Sequence, residues 1–127
     1  MDQLTDKVIA SAISVHKELG PGLLESTYEA CLAYELLDRG LKIETQKPSP
    51  VNYRGQKIDC GYRIDLLIED RLVVELKAVE KLMPIHTAQI LTYLRLSNLQ
   101  VGLLLNFNVL RLKDGLHRIV NQYLEFA

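Results

Sequence analysis

The chain has 127 residues, 48% of them hydrophobic and 24% charged, with 15 Lys and Arg against 16 Asp and Glu. A chain of that length folds to a radius of about 14 Å and buries a core of its own, which excludes intrinsic disorder, collagen and disulfide-stapled miniature scaffolds. The net charge of -1 gives no global pull toward nucleic acid, but residues 1 to 46 hold four basic and eight acidic side chains while residues 47 to 127 hold eleven and eight, so a local basic face is expected.

Leu4, Val8, Ala12, Val15 and Leu19 recur at spacings of four and three and predict an amphipathic helix. It should stop at Gly20, where a left-handed residue, Pro21 and Gly22 follow in turn. A second helix runs through Leu24, Tyr28, Leu32 and Leu36 and ends near Arg39 and Gly40. From Leu41 the period falls to two, and Lys42 to Gln46, Val51 to Tyr53, Tyr62 to Ile68 and Leu72 to Val79 read as a meander of strands. Pro84 suits the first turn of a helix reaching about Ser97, and Val101 to Leu105 reads as a fully buried strand. Asp114-Gly115 predicts the turn of a terminal hairpin between Val109 to Lys113 and Leu116 to Val120. With no repeat or linker, the order describes one α/β domain over residues 1–127.

The longest apolar stretches, such as Val101 to Leu105, fall far below the roughly 20 residues of a bilayer span. MDQLTDKVIA has no signal-peptide apolar region, so no membrane partner and a cytoplasmic address are expected. Cys31 and Cys60 belong to no CxxC or Cys/His cluster and are expected as buried thiols, with neither zinc nor redox chemistry.

The chemistry is concentrated in two strands. Leu72, Val74, Leu76 and Ala78 share one face, and Val73, Glu75 and Lys77 the other. In the preceding strand Ile64, Leu66 and Ile68 form the apolar set, opposite Arg63, Asp65 and Leu67. A three-residue loop, Glu69 to Arg71, sets Ile64 against Leu76 and Asp65 against Glu75. A slip of one residue would send Glu75 and Lys77 among the aliphatics, so the hydrophobic pattern selects the register that joins the two carboxylates. Opposed carboxylates repel unless a cation or proton intervenes. Mg²⁺ is the economical solution, with Asp65 and Glu75 as ligands, the Leu76 carbonyl as a third, and Lys77 stabilising charge on a phosphate. The bland reading is an exposed Glu75–Lys77 pair on a solvated strand, since an ExK triplet is common by chance.

Asp65 followed after nine residues by Glu75-Leu76-Lys77 resembles the bipartite signature of the PD-(D/E)XK nuclease superfamily. Gly22-Leu23-Leu24-Glu25-Ser26-Thr27-Tyr28, with the flanking Val15-His16-Lys17-Glu18-Leu19-Gly20-Pro21, is similar to the segment that names the bacterial GxxExxY family, a branch of that superfamily. Gln89 and Tyr93 look like the QxxxY element of RecB-like nucleases. The resemblance spans roughly Leu4 to Asn121 and departs in having Ile64 where proline often precedes the acid. It implies a restriction-endonuclease-like core: a central mixed β-sheet with N-terminal helices, a helix after the ExK strand and a C-terminal β-hairpin. It further implies a metal-dependent nuclease acting on DNA first and RNA second, with Mg²⁺ or Mn²⁺ held by Glu25, Asp65, Glu75 and Leu76. Glu25, Asp65, Glu75 and Lys77 would be catalytic, and Gln89 and Tyr93 would position substrate.

Each residue also has a plainer role: Glu25 as partner to a helix dipole, Tyr28 as core, Gln89 and Tyr93 as helix neighbours. His16 reads as a hydrogen-bonded flank residue, with a metal-side contact as the alternative. Arg54, Arg63, Lys81 and Arg95 are candidate phosphate contacts. Two rival readings stand beside the nuclease. One is a non-catalytic nucleic-acid or protein-binding module; the other is a homodimeric interaction protein pairing through the C-terminal hairpin.

Overall fold

The computed structural model describes residues 2–121. Helices α1 (Asp2–Leu19) and α2 (Glu25–Asp38) come first. Gly20 ends α1 with φ 69° and donates its N–H to the His16 carbonyl at 2.8 Å, the left-handed stop that the Gly-Pro-Gly run requires. Strands β1 (Ile43–Pro48), β2 (Val51–Tyr53), β3 (Gln56–Ile58), β4 (Arg63–Ile68) and β5 (Leu72–Lys77) follow. Helix α3 (Pro84–Ser97), strand β6 (Val101–Asn106), a 3-10 turn (Leu112–Gly115) and β7 (Leu116–Val120) complete the order.

The main sheet runs β1-β4-β5-β6-β7. β5 and β6 are parallel, joined by α3, and the other neighbours are antiparallel. The expected meander is broken by a separate hairpin, β2 with β3, inserted between β1 and β4. β1 therefore pairs directly with β4, because its hydrophobic partners lie on that strand rather than on the exposed β2.

Both faces of the sheet are covered, which is why β5 and β6 read as near-continuous apolar runs. On one face Val8, Ala12, Tyr28, Leu32 and Leu36 from α1 and α2 pack on Leu66, Ile68, Val74, Leu76, Leu103 and Leu105. On the other, Ile90, Tyr93 and Leu94 of α3 pack on Ile64, Leu67, Val73 and Leu104. Gly102 lets α3 approach: a Cβ there would stand 2.8 Å from Ile90 Cδ1 and 3.3 Å from the Val73 carbonyl oxygen.

The terminal hairpin forms with a different first arm, β6 in place of Val109 to Lys113. Leu112 is buried in the cluster that holds α1, and Asp114 donates its N–H to the Arg111 carbonyl at 3.0 Å, closing the 3-10 turn. β7 instead pairs along β6 from Val101 opposite Val120 to Leu105 opposite Leu116. A strand laid on an existing sheet edge satisfies more backbone than an isolated two-stranded ribbon can. Cys31 is half-buried, and Cys60 is exposed beside the Asp59–Gly61 turn, correcting its expected burial. No helix among the described residues is long and apolar enough to cross a membrane.

Candidate active site

The β4–β5 ladder pairs Ile68 with Leu72, Leu67 with Val73 and Leu66 with Val74. The ladder ends there, and Asp65 and Glu75 are the next residues along the two strands. At that point side chains replace the backbone ladder. Glu75 Oε1 accepts the Asp65 N–H at 3.1 Å, and Asp65 Oδ2 accepts the Leu76 N–H at 2.9 Å. The two strands thus stay linked where they cease to pair, and the two carboxylates are held within the opening.

The alternation expected in β4 fails here. Ile64 joins Leu67 and Val73 under α3 instead of facing Leu66 and Ile68. A break in the neighbouring strand accompanies it. Gln46, opposite Asp65 in the β1–β4 register, has φ 51°, a left-handed kink inside β1. Gln46 Nε2 donates to Glu29 Oε1 at 2.7 Å and to Asp65 Oδ1 at 3.3 Å, so one amide links α2 to the acid of β4.

Glu25 is the first residue of α2, and Glu29 follows one turn later. The loop before them is fixed by Tyr28, which is fully buried, as its apolar stripe predicts. Its hydroxyl donates to the Gly20 carbonyl at 2.6 Å and accepts the Leu23 N–H at 3.1 Å. The Tyr28 ring stacks on Phe107 with centroids 4.6 Å apart. His16 is not at the acids. Its Nε2 lies 3.1 Å from the Phe107 carbonyl and 2.8 Å from the Val109 carbonyl, two acceptors, so Nε2 carries the proton and ties α1 to the chain after β6.

Lys77 ends β5, half-buried, and its Nζ donates to Gln89 Oε1 at 3.2 Å. Gln89 Nε2 in turn donates to the Tyr93 hydroxyl at 3.4 Å. One turn of α3 therefore presents an amide that orients the ammonium group and a phenol that orients the amide. The strand end is held from below by Asn106, whose Oδ1 accepts the Val79 N–H at 3.1 Å and whose Nδ2 donates to the Val79 carbonyl at 2.9 Å. The Phe107 N–H reaches the Lys77 carbonyl at 2.9 Å.

Burial and then the Asp65 carboxylate push Glu75 up to about 9. Glu25 is raised by loss of solvent, held down by Lys77 and raised again by Asp65. Glu29 is raised by loss of solvent, against its bond from Gln46. Burial first and Glu75 second raise Tyr93. Asp65, Glu75, Glu25 and Lys77 thus act on one another electrostatically as a single constellation. Glu25 is its outermost member, coupled to Asp65 and Lys77 through space. Glu29 and Gln46 were missed by sequence reasoning. Glu29 could have been read as one turn beyond Glu25, whereas Gln46 depends on a kink that no local pattern announces.

The donor set is oxygen only, the kind a hard divalent cation takes. Among the described residues no three Asp, Glu, His or Cys side chains stand together as a ready-made ion cage. Of the candidate phosphate contacts, Arg63 lies 3.6 Å from Asp59 and Arg54 covers the Tyr53 ring at 5.3 Å.

A five-stranded mixed sheet, covered by α1 and α2 on one face and α3 on the other, with an Asp/ExK opening at its middle strands, defines a restriction-endonuclease-like domain. A family model of the PD-(D/E)XK nuclease superfamily matches residues 2–119, and the chain belongs to that superfamily. Neither curated proteins nor solved structures gave a match.

Proposed function

We propose that the domain is a metal-dependent nuclease that hydrolyses phosphodiester bonds, in DNA first and RNA second, within the GxxExxY family and the RecB-like branch. The observation that carries this reading is the opposition of Asp65 and Glu75 across the opened strands, with Lys77 two residues further on. Superfamily membership supports the reaction class.

Asp65 and Glu75 would hold Mg²⁺ or Mn²⁺, with Glu25 and the Leu76 carbonyl completing the protein's share. The bound ion would supply Lewis acidity toward the phosphate and a more acidic water. Lys77 offers a charged donor to a phosphoryl oxygen as negative charge builds there. Gln89 holds the ammonium group in place, so less of its orientation has to be fixed during the reaction. Tyr93 keeps Gln89 turned with its carbonyl toward Lys77. Glu29 and Gln46 steady Asp65 from the α2 side.

Purified protein incubated with single- and double-stranded DNA and RNA, in Mg²⁺ and in Mn²⁺, tests the reading beside Asp65→Ala and Lys77→Ala. Loss of cleavage in both variants is expected. Cleavage that continues unchanged in both would remove these residues from the reaction, and salt-dependent binding without hydrolysis would select the non-catalytic module instead.

A further inference from the structure

A cavity of about 430 Å³ opens on the outer side of α3, lined by Val51, Tyr62, Ile85, His86, Gln89 and Tyr93. Two of those residues, Gln89 and Tyr93, are the ones that orient Lys77, so the cavity shares a wall with the Lys77 side of the site. Tyr62 meets Tyr93 edge-on, with ring centroids 6.4 Å apart and planes at 67°. Tyr93 is 4% exposed and Tyr62 48%, so the inner ring is fixed while the outer one has a face to offer.

From this we infer that the cavity is a nucleobase slot: it takes one base of the nucleotide next to the phosphate under attack, and the substrate must present that base unpaired. This inference rests on the nuclease reading and adds the form of nucleic acid the site accepts. A base in a duplex already has both faces covered by its neighbours, so only a splayed or single-stranded base can lie on Tyr62. The walls match such a guest. Tyr62, Val51 and Ile85 provide apolar surface, while His86 and Gln89 bring polar groups to the same walls. His86 Nδ1 accepts the Met83 N–H at 2.9 Å, which leaves the ring proton of the neutral imidazole on Nε2 as a donor. The Gln89 amide has a second hydrogen beyond the one given to Tyr93. A phosphate alone would find aromatic and aliphatic walls, and an aliphatic ligand would leave those donors unused.

The slot is tested by binding, separately from cleavage. Single-stranded oligodeoxynucleotides carrying one 2-aminopurine, one abasic position or a full complementary strand are titrated into the protein, in EDTA and again in Ca²⁺, beside Tyr62→Ala and Tyr62→Phe. Quenching of the unpaired 2-aminopurine is expected, with affinity about tenfold weaker in Tyr62→Ala and close to wild type in Tyr62→Phe. That loss should vanish for the abasic and the paired ligands. Equal affinity of wild type and Tyr62→Ala, an equal loss on all three ligands, or no binding of any oligonucleotide would overturn the slot. Tyr62-dependent quenching in a protein that cleaves nothing with Mg²⁺ or Mn²⁺ would leave the slot standing and remove the nuclease activity. Cleavage indifferent to Tyr62 and to the abasic position would do the reverse.

Discussion

The hydroxyl of Tyr28 sits between Gly20 and Leu23, donating to one backbone carbonyl and accepting the other residue's N–H, so a side chain of α2 fixes the loop that leads into its own first turn. The spacing from Gly22 to Glu25 to Tyr28 acquires a physical meaning. The glycine, at φ 97°, permits the bend, the tyrosine locks it, and the glutamate is delivered to the helix start.

Tyr28→Phe keeps the ring on Phe107 and removes only the hydroxyl. The Gly20 carbonyl and the Leu23 N–H then lose a partner in a part-buried setting. Urea unfolding should show a loss of about 1–2 kcal/mol. Unchanged stability would show that water takes over both bonds.

Lys77 and Gln89 should behave as one unit. Lys77→Ala is expected to lower kcat by roughly 10²–10⁴-fold and Gln89→Leu by about tenfold. At saturating substrate the double variant should be no slower than Lys77→Ala alone, because in the chemical step Gln89 acts through the ammonium group, while its place in the slot bears on binding. Multiplying losses would assign Gln89 a separate role.

Glu75 makes the metal-free fold sensitive to alkali. Its folded pKa, about 9, lies above the ordinary carboxyl value of 4.5. Its neutral form therefore contributes fully below pH 4.5, and that contribution is lost as pH rises toward 9, at about 1.4 kcal/mol per pH unit. Glu75→Gln retains an oxygen for the Asp65 N–H and carries no charge. In EDTA the variant should match wild type at pH 4 and exceed it by ~5 kcal/mol at pH 8. Parallel stability curves over that range would contradict the assignment.

Mn²⁺ at neutral pH should raise the melting temperature of wild type and leave that of Asp65→Ala unchanged, because a ligand bound only by the folded state stabilises it by mass action. Equal shifts in both proteins would place the ion elsewhere.

Asn106 joins β6 to the chain leaving β5 through both atoms of its amide. Asn106→Leu would orphan the Val79 N–H and carbonyl and should cost about 2–3 kcal/mol, measured by denaturation. Asn106→Asp keeps the acceptor but sets a buried charged oxygen against the Val79 carbonyl, so it should restore none of that stability.

Strong periodicity made much of this architecture legible. α3 spans Pro84–Ser97, the helix expected from Pro84, because a proline at the first turn and an apolar stripe agree with the tertiary fold. The Asp65–Glu75 register followed from a rule of faces, and β4 and β5 obey it as far as Leu66 and Val74. What escaped depended on distant partners. Asp114-Gly115 has the composition of a hairpin turn, but Leu112 is drawn under α1, and Gly115 lies so close to the Asn106 carbonyl oxygen that a Cβ has no room there. Ile64 sits on the unexpected face beside a kink at Gln46, on another strand, that no pattern within β4 announces. The short β3 is exposed along its whole length and carries no alternation to read.

Gly102 gives the domain its internal gauge. With a lone hydrogen facing Ile90, the barrel of α3 rests almost on the backbone of β6. Both tasks suggested for that helix, steadying Lys77 and walling the slot, inherit their positions from this one clearance. Even an alanine at 102 would press on the enclosed Ile90 and, through it, on the helix that carries Gln89 and Tyr93.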